Sequence, residues 1–237
     1  MTPTALVTGG SRGIGRAVVE RLAAAGNRVV FSYARDKSAA DEVVARCPGA
    51  IAVRADQTSS SCLDLLFDAV QDGLDILVNN AAVNPAPAGV AEVTEAEFDR
   101  AFTANTKVPM LAIGRAAKLM RDGGRIVNIS TLNTVLPAAG HVLYCASKGA
   151  LEQVTAVAAR ELGPRGITVN TVSPGATDTA FLRQHNTPAG LARSAALTAL
   201  GRLGQPDDVA AVVVFLTSRD AGWVTGQNIR ATGGLLI

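Results

Sequence analysis

Thr4-Ala5-Leu6-Val7-Thr8-Gly9-Gly10-Ser11-Arg12-Gly13-Ile14-Gly15 decides the fold. A short apolar run ends in glycines, and an amphipathic stretch from Arg16 to Ala25 follows. The pattern reads as a strand, a tight glycine turn and a helix. Gly26 ends that helix, and Arg28 to Tyr33 reads as a second strand, completing a βαβ unit. Residues without side chains let the backbone approach a pyrophosphate. The helix N-terminus adds free N–H groups and the positive end of its dipole. The turn therefore suits a dinucleotide. The plainer alternative is a glycine turn that only packs a helix on a strand; the strand before and the helix after favour the dinucleotide. Strand-like and helix-like stretches alternate through the rest of the chain. They predict one α/β domain over residues 1–237: a Rossmann-like, doubly wound parallel sheet of about seven strands, with helices on both faces and ligands at the strands' carboxyl ends.

Composition excludes several function classes. The 237 residues are 48% hydrophobic, enough for a substantial core, and 22 basic against 20 acidic side chains leave a net charge of +2. No basic tract invites nucleic acid. Cys47, Cys62 and Cys145 are odd in number, far apart and without a CxxC pair. A disulfide framework or a Cys-based metal site is not expected, and a reducing cytoplasm fits. His141 and His185 lack metal-ligand spacing. The N-terminus does not read as a signal peptide, and no apolar run approaches the ~18 residues of a membrane span.

Further along, Leu74 to Val78 reads as a fully buried parallel strand running into Asn79-Asn80-Ala81-Ala82. Val83 to Gly89 is a loop. Thr94 with Glu97 forms a capping box for a helix to about Asn105, which resumes through Lys118. Gly124 to Ser130 is a strand ending in hydroxyl residues, with Thr131 next. Tyr144 and Lys148 lie one turn apart on one side of a helix that Gly163-Pro164 stops. An ammonium near a phenol favours the phenolate, so the pair predicts a lowered phenol pKa and a general acid/base for neutral pH. Taken alone, the same spacing also fits a solvated helix face. Ile167 to Ser173 reads as a strand, followed by Pro174-Gly175. Residues 178–200 read as a mobile loop with a short helix. Asp207 is expected to cap a helix through Thr217, and Trp223 to Ile229 to form the last strand.

The second strand ends in Ser32-Tyr33-Ala34-Arg35, with Asp36 one place later. An acid at the strand end would bond the ribose hydroxyl of NAD, whereas Arg accommodates the extra phosphate of NADP. Arg35 and Arg12 together offer two guanidiniums, favouring NADP over NAD. Alternatively, Arg35 is only solvated and Asp36 caps the next helix.

The spacing of Gly9, Gly13 and Gly15 departs from the common G-x-G-x-x-G fingerprint. Thr8 to Gly15 resembles instead the TGxxxGxG element of the short-chain dehydrogenase/reductase family, in particular its 3-oxoacyl-ACP reductase-like members. The resemblance runs from Thr4 to Gly234. Asn79 to Ala82 is similar to the family's NNAG element, Pro174-Gly175 to its PG element, and Gly201 to Val209 to a common C-terminal element. It implies a cofactor held by Gly9, Ser11, Arg12, Gly13, Ile14 and Gly15, with Tyr33 and Arg35 at the adenosine end. Asp56 would sit beside the adenine, although a plain cap for a helix beginning near Thr58 is equally good chemistry. Asn80 and Ala81 would line the cofactor floor; Pro174, Gly175 and Thr179 would meet the nicotinamide end, with Tyr144 and Lys148. Ala82 replaces the element's last glycine, which strains the chain only if that position needs positive φ.

The implied catalytic set is Tyr144, Lys148, Thr131 and Asn105. The family's serine falls thirteen places before its tyrosine, which is Thr131 here; Ser130 is the fallback. Asn105 would hold a water by its backbone, linking Lys148 to solvent, or else play a packing role. The expectation is an NADP-dependent oxidoreductase moving a hydride between nicotinamide and a carbonyl or alcohol of a small molecule. A catalytically weakened NADP-binding sensor or partner protein is the alternative. The resemblance further implies a homotetramer or homodimer, with residues 178–200 as the substrate lid.

Overall fold

Alternation along the first strand assigns the two faces of the sheet. In β1 (Thr4–Val7), Ala5 and Val7 point into one hydrophobic cluster and Leu6 into another. Strand side chains alternate in this way, so a strand buried on both faces is apolar throughout. The computed structural model describes residues 2–184 and 186–235, so His185, in the expected lid, lies outside the described residues.

The elements follow in strict alternation to mid-chain: α1 (Gly13–Ala24), β2 (Arg28–Tyr33), α2 (Lys37–Arg46), β3 (Ile51–Arg54), α3 (Cys62–Asp68) and β4 (Leu74–Asn79). Then come α4 (Glu95–Phe102), α5 (Val108–Leu119), β5 (Met120–Ile129), α6 (Val142–Leu162) and β6 (Thr168–Pro174). Two short helices, α7 (Ala180–Gln184) and α8 (Pro188–Ala196), precede α9 (Pro206–Thr217) and β7 (Asn228–Ala231). The sheet has seven strands in the order β3-β2-β1-β4-β5-β6-β7, every pairing parallel. The order reverses between β1 and β4, which opens a crevice at their carboxyl ends.

One core cluster packs β1, β2 and β4 against Val18, Val19 and Leu22 of α1 and Val213 and Leu216 of α9. The other packs Leu6, Leu77 and Ile126 against Leu63 and Leu66 of α3 and Ala112 and Ile113 of α5. Each buried leucine contributes about 1.5–3 kcal/mol relative to exposure. Together the two layers fix where every strand ends.

Four local expectations change. Thr94 and Glu97 do form their capping box, but the helix after it is interrupted: Thr103–Lys107 is a π-helical turn between α4 and α5. A π turn inserts a residue into the ladder and redirects one side chain, here the fully buried Asn105. Asp56 accepts from the backbone N and the Oγ1 of Thr58, both at 2.9 Å, so it organises a turn four residues ahead of α3 rather than capping it. Asp207 does not cap α9. Asp208 accepts from the Gln205 backbone N–H at 2.7 Å, while Asp207 pairs with Arg21 of α1 through two bonds of 2.5 and 2.6 Å. The last strand is shorter and later than Trp223 to Ile229, because Gly226 (φ 69°) turns the chain just before it.

Candidate active site

The glycine loop lies at the carboxyl end of β1. Gly13 has φ 56°, in the left-handed region where a side chain is strained. A Cβ on Gly15 would stand 2.2 Å from the Gly9 carbonyl oxygen, so nothing but glycine allows this close return of the chain. The Gly9 N–H donates to Ser32 Oγ at 2.9 Å, anchoring the loop to β2. Arg12 precedes α1 with extended backbone and provides no side-chain cap, and the first turn of α1 holds no acid. The N–H groups around Ile14 thus meet no competing side-chain acceptor from the cap. A loop stripped of side chains, leading to an uncapped helix, fits a pyrophosphate.

Several residues expected at the adenosine end lie near the carboxyl ends of β2 and β3. Tyr33 is buried at the end of β2, and Arg12 and Arg35 are exposed. Asp36 accepts from the Ala39 N–H at 2.9 Å and caps α2, so the plain reading of that acid holds. The Asp56 carboxyl is held below its usual range, chiefly by the Thr58 backbone N–H, with Arg35 and Arg100 adding favourable charge. Arg54, at the end of β3 and paired in register with Tyr33, is a third guanidinium here, donating to Ala34 O at 3.4 Å. It was missed because nothing in the sequence distinguishes it from an ordinary edge-strand arginine.

The floor is tied to the loop. Thr8 Oγ1 accepts from the N–H groups of Asn80 and Ala81, both at 3.0 Å, and Asn80 Nδ2 donates to Thr8 O and Gly9 O. Ala82 does not adopt positive φ, as is true of every described non-glycine residue, so its replacement of glycine is silent. Gln57 is buried and donates to both Ala81 O (3.0 Å) and Ala104 O (2.8 Å), joining the floor to the π turn. On the far side, Pro174 ends β6 and the Gly175 N–H bonds Ala231 O at 2.9 Å. A Cβ on Gly13 would meet the Thr179 methyl at 3.3 Å, so Thr179 lies against the glycine loop.

Tyr144 occupies the first turn of α6 and keeps part of its surface open to solvent. Thr131, buried just past β5, lies close enough to the phenol to act on it, and its Oγ1 accepts from the Asn133 N–H at 3.3 Å. Ser130 faces elsewhere and donates to Glu152 Oε1 at 2.6 Å. Strand alternation separates the two hydroxyls, and the phenol meets Thr131. Burial pushes the Tyr144 phenol up to about 12, opposed by Thr131. The expected lowering by Lys148 does not arise: burial dominates, and Lys148 is not among the groups acting on the phenol. Lys148 is 2% exposed and donates to Ile129 O at 2.7 Å. Burial lowers its ammonium to about 8, and Glu152 opposes that change.

The Asn105 side chain is bonded through both its oxygen and its nitrogen. Its Oδ1 accepts from Val83 N at 2.9 Å, and its Nδ2 donates to Val83 O (2.9 Å) and Ser147 Oγ (3.0 Å). It binds the loop after β4 to the helix bearing Tyr144 and Lys148. Phe181 of α7 places its ring centroid 6.4 Å from that of Tyr144, tilted by 41°. A small cleft beside the phenol is lined by Asn84, Pro85, Ala86, His141 and Leu143. Phe181 and Asn84 escaped notice in the sequence because loop and lid residues carry no periodicity.

The family model described as enoyl-(acyl carrier protein) reductase matches residues 9–236. An oxidoreductase of Methylorubrum extorquens is 44% identical, over 98% of this chain and 96% of its own. The angucycline C-6 ketoreductase LanV, solved with bound NADP, superposes with a TM-score of 0.92 at 41% identity, covering 99% of this chain and 95% of that one. A short-chain dehydrogenase of Burkholderia cenocepacia, solved in complex with NADP, gives a TM-score of 0.91 at 38% identity over 98% and 97% of the two chains. Sequence likeness over nearly the full length, with the same seven-stranded parallel sheet, makes this chain a member of the short-chain dehydrogenase/reductase family and an oxidoreductase.

Proposed function

We propose that the protein uses NADPH to reduce the carbonyl of a small molecule, with Tyr144 as general acid. The observation that carries this reading is the meeting of Tyr144, Thr131 and buried Lys148 at the carboxyl end of β5, beside the uncapped glycine loop. Arg12 and Arg35, exposed at the adenosine end, support NADP over NAD, and LanV and the Burkholderia protein were both solved with NADP. Gly9, Ser11, Gly13, Ile14 and Gly15 would cradle the pyrophosphate. Tyr33 and Asp56 would flank the adenine end, Asn80 and Ala81 the floor, and Pro174, Gly175 and Thr179 the nicotinamide end.

Bound there, NADPH would supply a hydride for the substrate carbonyl. Thr131 and Tyr144 donate hydrogen bonds to the carbonyl oxygen. A phenol held near 12 keeps its proton at neutral pH until negative charge grows on that oxygen, and then releases it to the alkoxide. Lys148, buried with its Nζ on the Ile129 carbonyl, would hold the nicotinamide ribose. Asn105 keeps the loop after β4 and the catalytic helix in register.

One domain with residues 178–200 as its lid is the organisation in view, supported by Phe181 packing near Tyr144. Exposed apolar side chains on α5 and α6 (Met110, Val157) and near β7 (Trp223, 99% exposed) support a homotetramer or homodimer, to be read by light scattering. Three unpaired cysteines suit a cytoplasmic setting. Among the described residues no helix is long and apolar enough to cross a membrane, and no cluster of metal-ligating side chains occurs.

The test is consumption of NADPH against NADH over aromatic polyketide ketones, 3-oxoacyl thioesters, sugar ketones and aldehydes. Tyr144→Phe should lose about 10²–10⁴-fold in kcat while still binding NADPH. Substantial turnover by that variant would remove Tyr144 from its role. NADPH binding without turnover of any carbonyl by the wild type would return the sensor reading.

A further inference from the structure

Lys148 needs its positive charge to act, and it sits where charge is hardest to keep. Its Nζ bonds the Ile129 carbonyl on β5, and its chain neighbour Ser147 is tied to Asn105 of the π turn. Glu152 lies one helical turn beyond Lys148, the spacing at which side chains on one helix meet. The two reach consecutive residues of one strand end: Lys148 Nζ bonds Ile129 O at 2.7 Å and Glu152 Oε1 accepts from Ser130 Oγ at 2.6 Å. Ser173 Oγ, on β6, lies 3.4 Å from the same carboxylate oxygen and donates to Asn228 Oδ1 at 2.7 Å. The carboxylate is thus pinned against the sheet rather than free in solvent.

The elements packed on α6 bring no competing charge among the described residues. On α4, Glu95, Asp99 and Arg100 are exposed and Glu97 is held by Thr94. Lys107 and Lys118 are exposed, and Arg115 pairs with Asp64. Of the β5 charges, Arg121 pairs with Asp75 and Asp122 with Arg165, while Arg125 donates to Ser218 O. β6 carries none. On α6 itself, Tyr144 and Cys145 are the other nearby titratable groups.

We propose that Glu152 is a positioning residue: fixed by Ser130, its carboxylate holds the Lys148 ammonium protonated and aimed along the end of β5. The proposal rests on the reductase reading for its catalytic meaning, but not for its test. It also gives Ser130 a function, as the anchor of Glu152 rather than a substrate contact. Burial drives the Lys148 ammonium down to about 8, and Glu152 is the charge that opposes it.

The chain has four lysines, Lys37, Lys107, Lys118 and Lys148, so side-chain titration by NMR of lysine-labelled protein is tractable. Lys148→Arg assigns the buried signal. In the protein without substrate, Glu152→Gln should lower the Lys148 midpoint by about one pH unit, and Glu152→Asp by less. The alkaline limb of kcat for NADPH-dependent carbonyl reduction should move down with it, whereas a merely structural role would lower kcat evenly across pH. Gln still accepts from Ser130; should that variant fail to fold, the smaller drop in Glu152→Asp decides. A Lys148 midpoint unchanged in the folded variants overturns the proposal. The midpoint shift together with a wild type inactive on every carbonyl overturns the reductase reading and leaves the Glu152–Lys148 relation standing.

Discussion

Lys148 is a buried base whose folded pKa, about 8, lies below its ordinary 10.5. Between those values the unfolded chain binds more protons than the folded one, so stability rises with pH across that window. Below pH 8 both states are protonated and the full cost of burying the ammonium is present. Tyr144 acts in the opposite sense higher up, since its folded phenol holds its proton to about 12. From pH 8 to 10, the cofactor-free wild type should therefore gain about 2–3 kcal/mol relative to Lys148→Met, measured by urea unfolding. A flat difference would mean that Lys148 is better solvated than its 2% exposure implies. Counting back from Tyr144 pointed to Thr131, which we propose as the substrate contact; strand alternation turns Ser130 to the other face, onto Glu152. That the Lys148 ammonium bonds the Ile129 carbonyl was not legible, because spacing along a helix sets which side a residue faces and not where its torsions carry the charged end.

The π turn at Thr103–Lys107 shows how one element supports another. Such a turn breaks the regular ladder, and the Ala104 carbonyl takes its bond from the Gln57 side chain at 2.8 Å. The same amide holds Ala81 O at 3.0 Å, so Gln57→Leu would leave two acceptors in need of partners. A loss of about 1–3 kcal/mol in stability is expected, with a weakened Asn105 staple and a lower kcat. Circular-dichroism melts and steady-state rates check both. At the other end of the crevice, Arg12 and Arg35 are exposed beside the start of α1 and the end of β2, where we propose the adenosine phosphate binds. Arg12→Ala with Arg35→Ala should raise KM for NADPH by at least about tenfold while leaving KM for NADH nearly unchanged, since only one of the two carries the extra phosphate. An equal rise for both cofactors would make the arginines general anchors instead.

At the scale of the whole molecule, two apolar layers hold the sheet and the surface charges trim it. Leu216 is fully buried between α9 and the sheet, so Leu216→Ala should cost about 2–5 kcal/mol. The bidentate pair of Arg21 with Asp207 joins the same two helices at the surface, where water screens it. Arg21→Met should cost less than about 1 kcal/mol. Chemical denaturation of the two variants measures the contrast, and a larger loss from Arg21→Met would show that the pair, not the core, orders α1 on α9.

By itself the sequence determined the alternation of strands and helices, the glycine turn, the capping box at Thr94 and the count from Thr131 to Tyr144. Each of these is a local pattern: a periodicity, a residue lacking a side chain, or a spacing within one element. Only the tertiary structure decided the strand order, the partner of Asp207, the π turn that buries Asn105, and the company of Lys148. Those depend on which segments meet across the sheet, and on the balance between burial and bonding that arises once they do. Ser130 and Glu152 stand 22 positions apart in the chain and 2.6 Å apart in the fold. No spacing rule connects a strand end to the third turn of a helix from another segment; packing against a common sheet does.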